Sequence, residues 1–349
     1  MTLSPVGGDP RSVLAELRRW WQQQAEPEPL EVRTSGSTGQ PRGVLLSRAA
    51  LRAAATASER RLGGPASWVL SLPVGSVAGL QVLVRSLVAG TEPVLLDDHH
   101  GAWREAAQAA GAHRRCTAMV PTQLYRLDRT GALADLTGFD RVLVGGAAAE
   151  PALVDRARAA GVRVVTTYGM TETCGGCVYD GEPLDGVSVR VAAGGAIELA
   201  GPVLFDGYVD DPAATAAALR GGWLRTGDLG RIGGDGRLQV LGRDDDVVAS
   251  GGVKVALVAV EHAMRSHPAV ADAAAVGVAD PEWGCRVVAL ARLHADAHVS
   301  LDDLREHVAL TLPRACAPRG LMLVDRIPRL PNGKLDRQAA GRLAAEHGR

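Results

Sequence analysis

Between Glu31 and Gly169 the chain alternates short β-rich runs with alanine-rich helical stretches. Such alternation is typical of βαβ units, in which a mostly parallel sheet is covered by helices. The last predicted helix begins with proline at its first position, where proline is well tolerated. The predicted strands are Trp68–Leu72, Pro93–Leu96, Thr117–Val120, Arg141–Val144 and Val162–Thr167, and the helices between them include Ser47–Leu62, Ala102–Ala110 and Pro151–Ala160.

The pattern changes after residue 180. From 181 to 242, short strands are separated by frequent Gly, Pro and Asp, which favours antiparallel hairpins or a small barrel. The remaining segment, 243–349, has a compact α+β pattern. We therefore predict an N-terminal domain over 1–242, with an α/β part at 31–180 and a β-rich part at 181–242, and a smaller C-terminal domain over 243–349.

Charge and hydropathy exclude several classes of protein. The 349 residues carry 38 Lys+Arg against 39 Asp+Glu, a net charge of −1, which argues against binding to nucleic acid or an anionic membrane through bulk charge. No apolar stretch approaches the ~18 residues of a membrane helix, and the N-terminus lacks the basic and apolar regions of a secretion signal. We expect a cytoplasmic protein, and a homo-oligomer is left open.

The five cysteines do not indicate a disulfide framework, because their number is odd and the chain is long. Cys174 and Cys177 form one C-x-x-C, yet a structural zinc site needs about four ligands and no second pair accompanies it. A zinc site or a redox dithiol is less expected here than a turn lined by small residues.

Only two of the 38 basic residues are lysines, Lys254 and Lys334, and the other 36 are arginines. Arginine is a wide planar fork, whereas lysine is a compact ammonium on a flexible stem. The two lysines are either chance survivors or positions at which a point charge is required.

A loop rich in glycine and hydroxyl groups spans Thr34–Gly43. Its glycines allow successive backbone N–H groups to converge on an anion, and its hydroxyls and Arg42 add donors for phosphate oxygens. It is not a P-loop, because the G-x-x-x-x-G-K-[ST] spacing is absent. The loop therefore predicts phosphate binding outside the P-loop class.

A second candidate site follows an apolar strand at Tyr168–Thr173, at the carboxyl edge where open α/β sheets bind ligands. Glu172 is a hard oxygen ligand suited to Mg²⁺, and Thr171 can donate to a phosphate. The small residues 145–147 end the preceding strand at the same edge and leave room for a flat base.

Two further motifs lie towards the C-terminus. Asp228, within 222–230, has a carboxylate suited to the two hydroxyls of a ribose, although it also fits an ordinary turn. Lys334 lies in Pro331–Arg337 on a glycine-containing turn, from which a mobile lysine can be delivered to a site and withdrawn.

Together, five segments in this order resemble the signature of the acyl-adenylate-forming superfamily, which includes acyl-CoA synthetases and peptide-synthetase adenylation domains. They are Thr34–Gly43, Tyr168–Thr173, Thr226–Gly230, Gly242–Asp245 and Pro331–Arg337. Within the superfamily the chain most resembles actinobacterial o-succinylbenzoate–CoA ligases of menaquinone biosynthesis, through Gly79–Leu87, Cys174–Gly181 and its short length.

The resemblance implies a fold and a reaction. The fold would be a large N-terminal adenylate-forming domain, with mostly parallel sheets and a small β-rich subdomain, and a small mobile α+β C-terminal domain. The reaction would use ATP and Mg²⁺ to convert a carboxylic acid to an acyl-adenylate and pyrophosphate, after which CoA displaces AMP. Its partners would be a small-molecule carboxylic acid, ATP and CoA, with no nucleic acid and no membrane.

The resemblance also implies roles for residues. Thr171, Glu172 and Lys334 would be catalytic, with Glu172 holding Mg²⁺ and Lys334 bridging the acid and the α-phosphate, where charge stabilisation in a dry site is worth several kcal/mol. Asp228 and Arg243 would hold the ribose hydroxyls. The remaining ATP- and AMP-binding positions would be Thr34, Ser35, Gly36, Ser37, Thr38, Gly39, Arg42, Gly145, Gly146, Ala147, Tyr168, Gly169 and Met170.

The other implied positions concern the acid and CoA. The acyl pocket would include Ser76, Gly79, Arg85 and Gly175; Arg85 either pairs with a second carboxylate of the acid or lies on a helix surface. Asp245 would be the hinge about which the C-terminal domain rotates. Gly251, Gly252 and Lys254 would face the CoA side, with Lys254 either near the CoA phosphates or on the surface.

One departure puts the acid in question. Relatives usually have His in P-x-x-H-x-x-G, where this chain has Ser76. The expected function is an o-succinylbenzoate–CoA ligase, and the alternatives are a ligase for another aryl or acyl acid, loading of a carrier-protein thiol, or a non-catalytic nucleotide-binding paralogue. Intact Lys334, Glu172 and Asp228 argue against the last alternative.

Overall fold

The computed structural model describes residues 2–3, 8–34, 42–111, 114–329 and 335–347. The chain forms two compact units. Unit 1 comprises Met1–Arg190, Glu198–Thr226 and Ile232–Leu238, and unit 2 comprises Val191–Ile197, Gly227–Arg231 and Gln239–Arg349. The domain boundary expected between 242 and 243 stays a prediction.

The N-terminal half has the α/β alternation that the sequence predicts. Its elements are β1 (Thr2–Leu3), α1 (Pro10–Trp21), β2 (Leu30–Thr34), β3 (Arg42–Leu46), α2 (Arg48–Leu62), β4 (Ser67–Leu70), α3 (Val77–Ala89), β5 (Val94–Leu95), α4 (Trp103–Ala109), β6 (Arg115–Met119), α5 (Pro121–Arg129), β7 (Arg141–Val144), α6 (Pro151–Ala159), β8 (Val164–Met170), β9 (Gly175–Tyr179) and β10 (Glu182–Pro183).

The central sheet of unit 1 has the order β10-β9-β8-β7-β6-β4-β5. Pairing is parallel from β5 through β8, whereas β9 and β10 run antiparallel at the other edge. The predicted mixture of helices and a mostly parallel sheet is therefore confirmed. Its parallel strands are short apolar runs, as expected of strands covered on both faces.

Local signals account for the ends of the two helices that lie nearest the site. Ser47 caps α2 by accepting from the Ala50 amide, and Ser76 caps α3 by accepting from the Gly79 amide. Both helices end at a glycine in the left-handed conformation, Gly63 and Gly90, as helix C-termini often do. Residues 79–86 of α3 are all buried, so this part of the helix is covered on every side.

A separate four-stranded sheet in unit 1 has the order β1-β2-β3-β13, in which β13 is Gly207–Tyr208. β2 and β3 form an antiparallel pair in which Thr34 lies opposite Arg42. The residues that connect these two positions, 35–41, lie outside the described part of the chain.

The region after residue 181 contains short strands, as predicted. Its elements are β11 (Ser188–Val191), β12 (Ala196–Ala200), β13 (Gly207–Tyr208), α7 (Pro212–Ala218), β14 (Leu219–Arg220), β15 (Trp223–Ile232) and β16 (Leu238–Arg243). Four of them form a sheet in the order β11-β12-β15-β14, and β16 also pairs with β15. The antiparallel β14–β15 pair confirms the expected hairpin character.

Unit 2 is an α+β assembly. Its elements after β16 are β17 (Val247–Ser250), β18 (Val253–Ala256), α8 (Leu257–Arg265), β19 (Val270–Asp280), β20 (Gly284–Leu293), α9 (Leu301–Ala309), β21 (Gly320–Leu323) and α10 (Arg337–His347). Helices cover both faces of the β19-β20-β21 sheet, since α8 and α9 contribute to one apolar cluster and α10 to the other. None of the helices in the described ranges is long and apolar enough to cross a membrane.

Candidate functional site

The segment Tyr168–Thr173 lies where the sequence placed it, at the carboxyl end of β8. The strand ends at Met170 and continues into a single 3-10 turn, Thr171–Thr173. The Thr173 hydroxyl accepts from the Met170 amide at 2.9 Å and donates to the Gly175 carbonyl at 2.7 Å. These bonds fix the turn that carries Thr171 and Glu172, so both side chains start from a rigid support.

A tyrosine that the sequence analysis missed holds Glu172. The Tyr208 hydroxyl donates to Glu172 Oε1 at 3.0 Å, and the Arg42 guanidinium lies 4.8 Å from the centre of the Tyr208 ring. Burial, reinforced by the nearby Glu172 charge, raises the pKa of Tyr208 to about 12, so the hydroxyl stays a donor. The sequence signal was weak: Gly207-Tyr208 is a two-residue strand, and its contact with Glu172 spans 36 residues.

Gly145 and Gly146 continue β7, the neighbour of β8 in the sheet, at the same carboxyl edge. A side-chain Cβ at Gly145 would lie 2.1 Å from Thr167 Oγ1, so only glycine fits. Gly146 has φ +80, a left-handed conformation that glycine adopts without strain. Ala147 is exposed. The local packing requires glycine at 145 and the backbone favours it at 146, whereas the structure shows no such requirement at Ala147.

The phosphate-loop prediction is only partly covered by the structure. Thr34 Oγ1 donates to the Arg42 carbonyl at 3.3 Å, which joins the two ends of the loop. Ser35, Gly36, Ser37, Thr38 and Gly39 lie outside the described residues.

Of the residues predicted to line the acyl pocket, Ser76 and Gly79 form the first turn of α3. Ser76 Oγ donates to the Pro73 carbonyl at 2.7 Å and accepts from the Gly79 amide at 3.1 Å. A Cβ at Gly79 would lie 2.2 Å from the same carbonyl, so the backbone approaches too closely for a larger residue. Serine in place of the usual histidine thus acts as a helix cap.

The alternative in which Arg85 lies on a helix surface is wrong, because the residue is buried. Arg85 is only 6% exposed. Its Nη2 donates to the Tyr179 hydroxyl at 3.0 Å, and its guanidinium lies 4.9 Å from the centre of the Trp68 ring. Among the described residues no carboxylate forms a salt bridge with Arg85, and its Nε has no hydrogen-bond partner. A buried charge without a counter-ion is costly unless a ligand supplies one.

One helical turn earlier, Gln81 is 1% exposed, and neither atom of its amide has a partner in the described structure. Its Cγ lies 3.3 Å from the position that a Cβ at Gly175 would occupy. Gln81 was not among the predicted site residues, although a polar residue four positions before Arg85 in a mostly apolar helix was a usable signal.

Unit 2 contains the predicted ribose-binding pair. Arg243 Nη1 lies 3.6 Å from Asp228 Oδ1, and the Asp228 side chain is 13% exposed. A Cβ at Gly227 would lie 2.8 Å from Arg243 Nη2, so the glycine before Asp228 makes room for the arginine. The two predicted residues are therefore in contact.

The residues expected at the hinge and on the CoA side lie in the β17–β18 hairpin or just before it. Gly251 and Gly252 form its turn with φ +56 and +79, and a Cβ at Gly251 would lie 2.5 Å from the Trp283 ring. Asp245 lies in the 3-10 turn Asp244–Asp246 and Lys254 in β18; their side chains are outside the described part.

Lys334 lies outside the described residues, but both ends of its loop are described. Arg329 forms an antiparallel bridge with Leu335, and the Asp336 amide donates to the Pro328 carbonyl at 3.0 Å. Arg337 then contacts the buried carboxylate of Glu261 at 2.6 Å and forms an ion pair with Asp246, the residue after the predicted hinge Asp245. The segments on either side of residues 330–334 are thus held by contacts within unit 2.

Cys174 follows the 3-10 turn Thr171–Thr173, whereas Cys177 lies in β9, and both thiols are buried. Burial raises the pKa of both thiols, that of Cys177 to about 12, so they are protonated at neutral pH. The described residues include no group of three or more His, Cys, Asp or Glu side chains able to hold a metal ion.

Comparison with known proteins agrees with this arrangement. Residues 33–208 match the family of AMP-binding enzymes, and residues 259–334 match the AMP-binding enzyme C-terminal domain. These two matches cover the α/β part with its candidate ATP site and most of the C-terminal segment. The chain therefore belongs to the AMP-binding enzyme family and has the fold of the adenylate-forming enzymes.

Among its relatives, a probable 2-succinylbenzoate–CoA ligase of Mycobacterium tuberculosis is 47% identical over 90% of this chain and 84% of its own. The 2-succinylbenzoate–CoA ligase of Bacillus licheniformis is 32% identical over 87% of this chain and 68% of its own. The resemblance to this group of ligases is confirmed.

Solved structures give the same result. The o-succinylbenzoate CoA synthetase of Bacillus subtilis, in complex with the acyl-adenylate intermediate OSB-AMP, has a TM-score of 0.78 at 29% identity, covering 89% of this chain and 68% of its own. An amide bond synthetase of Marinactinospora thermotolerans has a TM-score of 0.81 at 29% identity, and the match covers 90% of this chain and 68% of its own. Like these relatives, the chain is an enzyme.

Proposed function

We propose that this enzyme is an AMP-forming acid–CoA ligase that converts o-succinylbenzoate, CoA and ATP to o-succinylbenzoyl-CoA, AMP and pyrophosphate. Support comes from the 47% identity with the Mycobacterium tuberculosis ligase over nine-tenths of the chain and from the Bacillus subtilis structure that holds the acyl-adenylate. The reaction has two steps: the acid's carboxylate attacks the α-phosphate of ATP and releases pyrophosphate, and the thiol of CoA then displaces AMP.

Glu172 fits the role of a magnesium ligand. Its carboxylate is a hard oxygen donor, carried by a rigid turn and oriented by the Tyr208 hydroxyl at 3.0 Å. When bound, Mg²⁺ would neutralise charge on the phosphates as pyrophosphate leaves. A bond from an outer residue to a metal ligand fixes the ligand's orientation, so we assign Tyr208 as a positioning residue.

The remaining ATP contacts are proposed from the family motifs and from the local structure. Thr171 donates to the α-phosphate, while Thr34–Gly43 holds the outer phosphates. Asp228 and Arg243 hold the ribose hydroxyls, a role that suits a well-buried carboxylate beside a guanidinium. The adenine lies among the small residues that follow β7 and beside Tyr168, with Gly169 and Met170 completing the strand end.

Lys334 is the proposed catalytic charge of the first step. Its ammonium would bridge the acid's carboxylate and the α-phosphate, where negative charge collects in the transition state. Asp245 is the proposed hinge, and Gly251, Gly252 and Lys254 the proposed CoA side of the second step. Since ATP and CoA are supplied in the cytoplasm, we place the enzyme there; a homo-oligomer stays a prediction.

The observation that supports the choice of acid is Arg85. It is a buried guanidinium with no carboxylate partner among the described residues, on the helix that begins at Ser76. o-Succinylbenzoate carries two carboxylates, and only one is activated. The other supplies the counter-ion that Arg85 lacks, which a monocarboxylic fatty or aryl acid cannot do.

Product analysis by mass spectrometry tests the proposal. Purified enzyme receives ATP, Mg²⁺ and CoA with an equimolar mixture of o-succinylbenzoate, benzoate and fatty acids. We expect o-succinylbenzoyl-CoA to dominate, with AMP formed in equal amount. Dominance of another thioester would overturn the choice of acid, whereas an acyl-adenylate that reacts only with a carrier-protein thiol would overturn the choice of acceptor.

A Lys334→Ala variant separates the two steps in the same assay. It should lose adenylate formation while still converting added acyl-adenylate and CoA to thioester. Unchanged adenylate formation, with collapse of the second step, would show that the role assigned to Lys334 is wrong. Absence of both AMP and thioester from the wild type, with every acid, would point to a non-catalytic nucleotide-binding protein.

A further inference from the structure

Helix α3 contains three buried polar atoms that the described protein leaves without partners: Nε2 and Oε1 of Gln81 and Nε of Arg85. Gln81 is 1% exposed and Arg85 is 6% exposed, so bulk water does not satisfy these atoms. Leaving a buried donor or acceptor unpaired is unfavourable, and such groups in native proteins are rare. These atoms belong to two side chains one helical turn apart, which indicates that a ligand completes this site.

The surroundings locate that ligand. Gln81 and Arg85 are four residues apart, so both face the same side of α3. Gln81 lies against Gly175, the first residue of β9, and Arg85 donates to the Tyr179 hydroxyl at the end of the same strand. Tyr179 is itself fully buried, with its hydroxyl 2.8 Å from Ser58 Oγ.

Gly175 connects this group to the reaction centre. It follows the turn that carries Glu172, and its carbonyl accepts from the Thr173 hydroxyl at 2.7 Å. Its φ of +95 is a left-handed conformation suited to glycine, and any side chain there would press on Gln81. The absent side chain leaves the Gln81 amide beside the segment at which the acid is activated.

We propose that Gln81 is a specificity-determining residue that binds the non-activated carboxylate of the acid together with Arg85. Gln81 Nε2 donates to one carboxylate oxygen and Arg85 Nε donates to the other, so that the guanidinium is the counter-ion of the carboxylate. Both unpaired donors, Gln81 Nε2 and Arg85 Nε, are then satisfied by one ligand group. This assignment rests on the proposed function, because it requires an acid with a second carboxylate.

Substrate discrimination by a Gln81→Leu variant tests this assignment. The two substrates are o-succinylbenzoate and 4-oxo-4-phenylbutanoate, which keeps the aliphatic carboxylate and lacks the one on the ring. Loss of a hydrogen bond to a charged group should lower kcat/KM for o-succinylbenzoate by about 10- to 100-fold. The value for the analogue should change less than about threefold, so the ratio of the two values falls.

A purely structural role would not change this ratio. Leucine has nearly the volume of glutamine and removes two unpaired polar atoms, so the melting temperature of Gln81→Leu should not fall. Gln81→Glu keeps the shape but adds a negative charge, and should lower kcat/KM for the diacid further than leucine does. Gln108→Leu, at an exposed position of α4, is the matched control and should leave the ratio unchanged.

The outcomes are distinct. A reduced ratio in Gln81→Leu, with a retained melting temperature, supports the assignment. An unchanged ratio, or an equal loss with both substrates, overturns the assignment of Gln81 while the proposed function stands. Wild-type enzyme that forms no thioester from o-succinylbenzoate overturns the proposed function, and this assignment with it.

Discussion

Replacing Arg337 by methionine should loosen the packing of α8 against β19 in unit 2. The guanidinium donates to Glu261 Oε1 at 2.6 Å and to the Ala275 carbonyl at 2.9 Å, and it forms an ion pair with Asp246. Glu261 is only 4% exposed. The methionine keeps much of the side-chain length and removes the charge, so the variant isolates the electrostatic contribution.

The expected magnitude follows from the burial of Glu261. Removing one partner of a buried ion pair costs about 3–5 kcal/mol, because the remaining charge is left uncompensated. Arg265 Nη2 lies 3.3 Å from Glu261 Oε2, and the Ala275 amide donates to Oε1 at 3.1 Å, so part of the stabilisation remains. We therefore expect a loss near the lower end of that range, about 3 kcal/mol.

Native-state hydrogen exchange measures this loss where it occurs. The protected amides of α8 should exchange about 100-fold faster in Arg337→Met, whereas those of the central sheet in unit 1 should be unchanged. Adding Glu261→Gln should recover part of the protection, because it removes the uncompensated charge. Arg329→Met, which removes a more exposed contact to Asp272, is the control and should cost about 1 kcal/mol or less. A change below threefold in Arg337→Met would refute this reasoning.

Three other predictions concern separate sites. Tyr208→Phe removes the hydroxyl that donates to Glu172. Pyrophosphate release should therefore slow about 10-fold, and a higher Mg²⁺ concentration should be needed for the half-maximal rate. An unchanged Mg²⁺ requirement would contradict the positioning role of Tyr208. The Cys177 thiol, whose pKa burial raises to about 12, should resist alkylation by iodoacetamide at pH 8 until the protein unfolds, and rapid labelling seen by mass spectrometry would contradict its burial. The Arg115 amide holds the pKa of Asp140 below its usual value, so Asp140 contributes stability above about pH 4 that is lost on acidification. Urea unfolding from pH 5 to 2 should therefore show a smaller loss of stability in Asp140→Asn than in the wild type; equal losses would contradict it.

Much of the fold follows from local patterns in the sequence. The predicted strand Arg141–Val144 and the helix that starts at Pro151 have the observed bounds within one residue, and Ser47 is the cap at the predicted start of its helix. These features depend on residues within a few positions of one another, namely apolar periodicity, capping hydroxyls and proline. The motif positions were predictable for the same reason, since each motif is a contiguous segment.

The contacts between distant segments were not predictable in this way. Tyr208 reaches Glu172 across 36 residues, and Arg337 reaches Glu261 across 76. Many arginines of similar local context lie on the surface, and nothing within a few residues of Arg337 distinguishes it from them. Which side chain meets a given carboxylate depends on the packing of whole elements.

Arg85 shows most clearly which properties follow from the sequence and which follow from the tertiary structure. The sequence by itself determined that it lies on an apolar helix within a segment typical of acyl-adenylate-forming enzymes, and it left open whether the side chain is buried. Only the tertiary structure decided that Arg85 and Gln81 are buried, and that Arg85 has no counter-ion among the residues that the structure describes. The physical reason is that helical periodicity determines which residues share a face, whereas long-range packing decides whether that face meets solvent, another strand or the substrate.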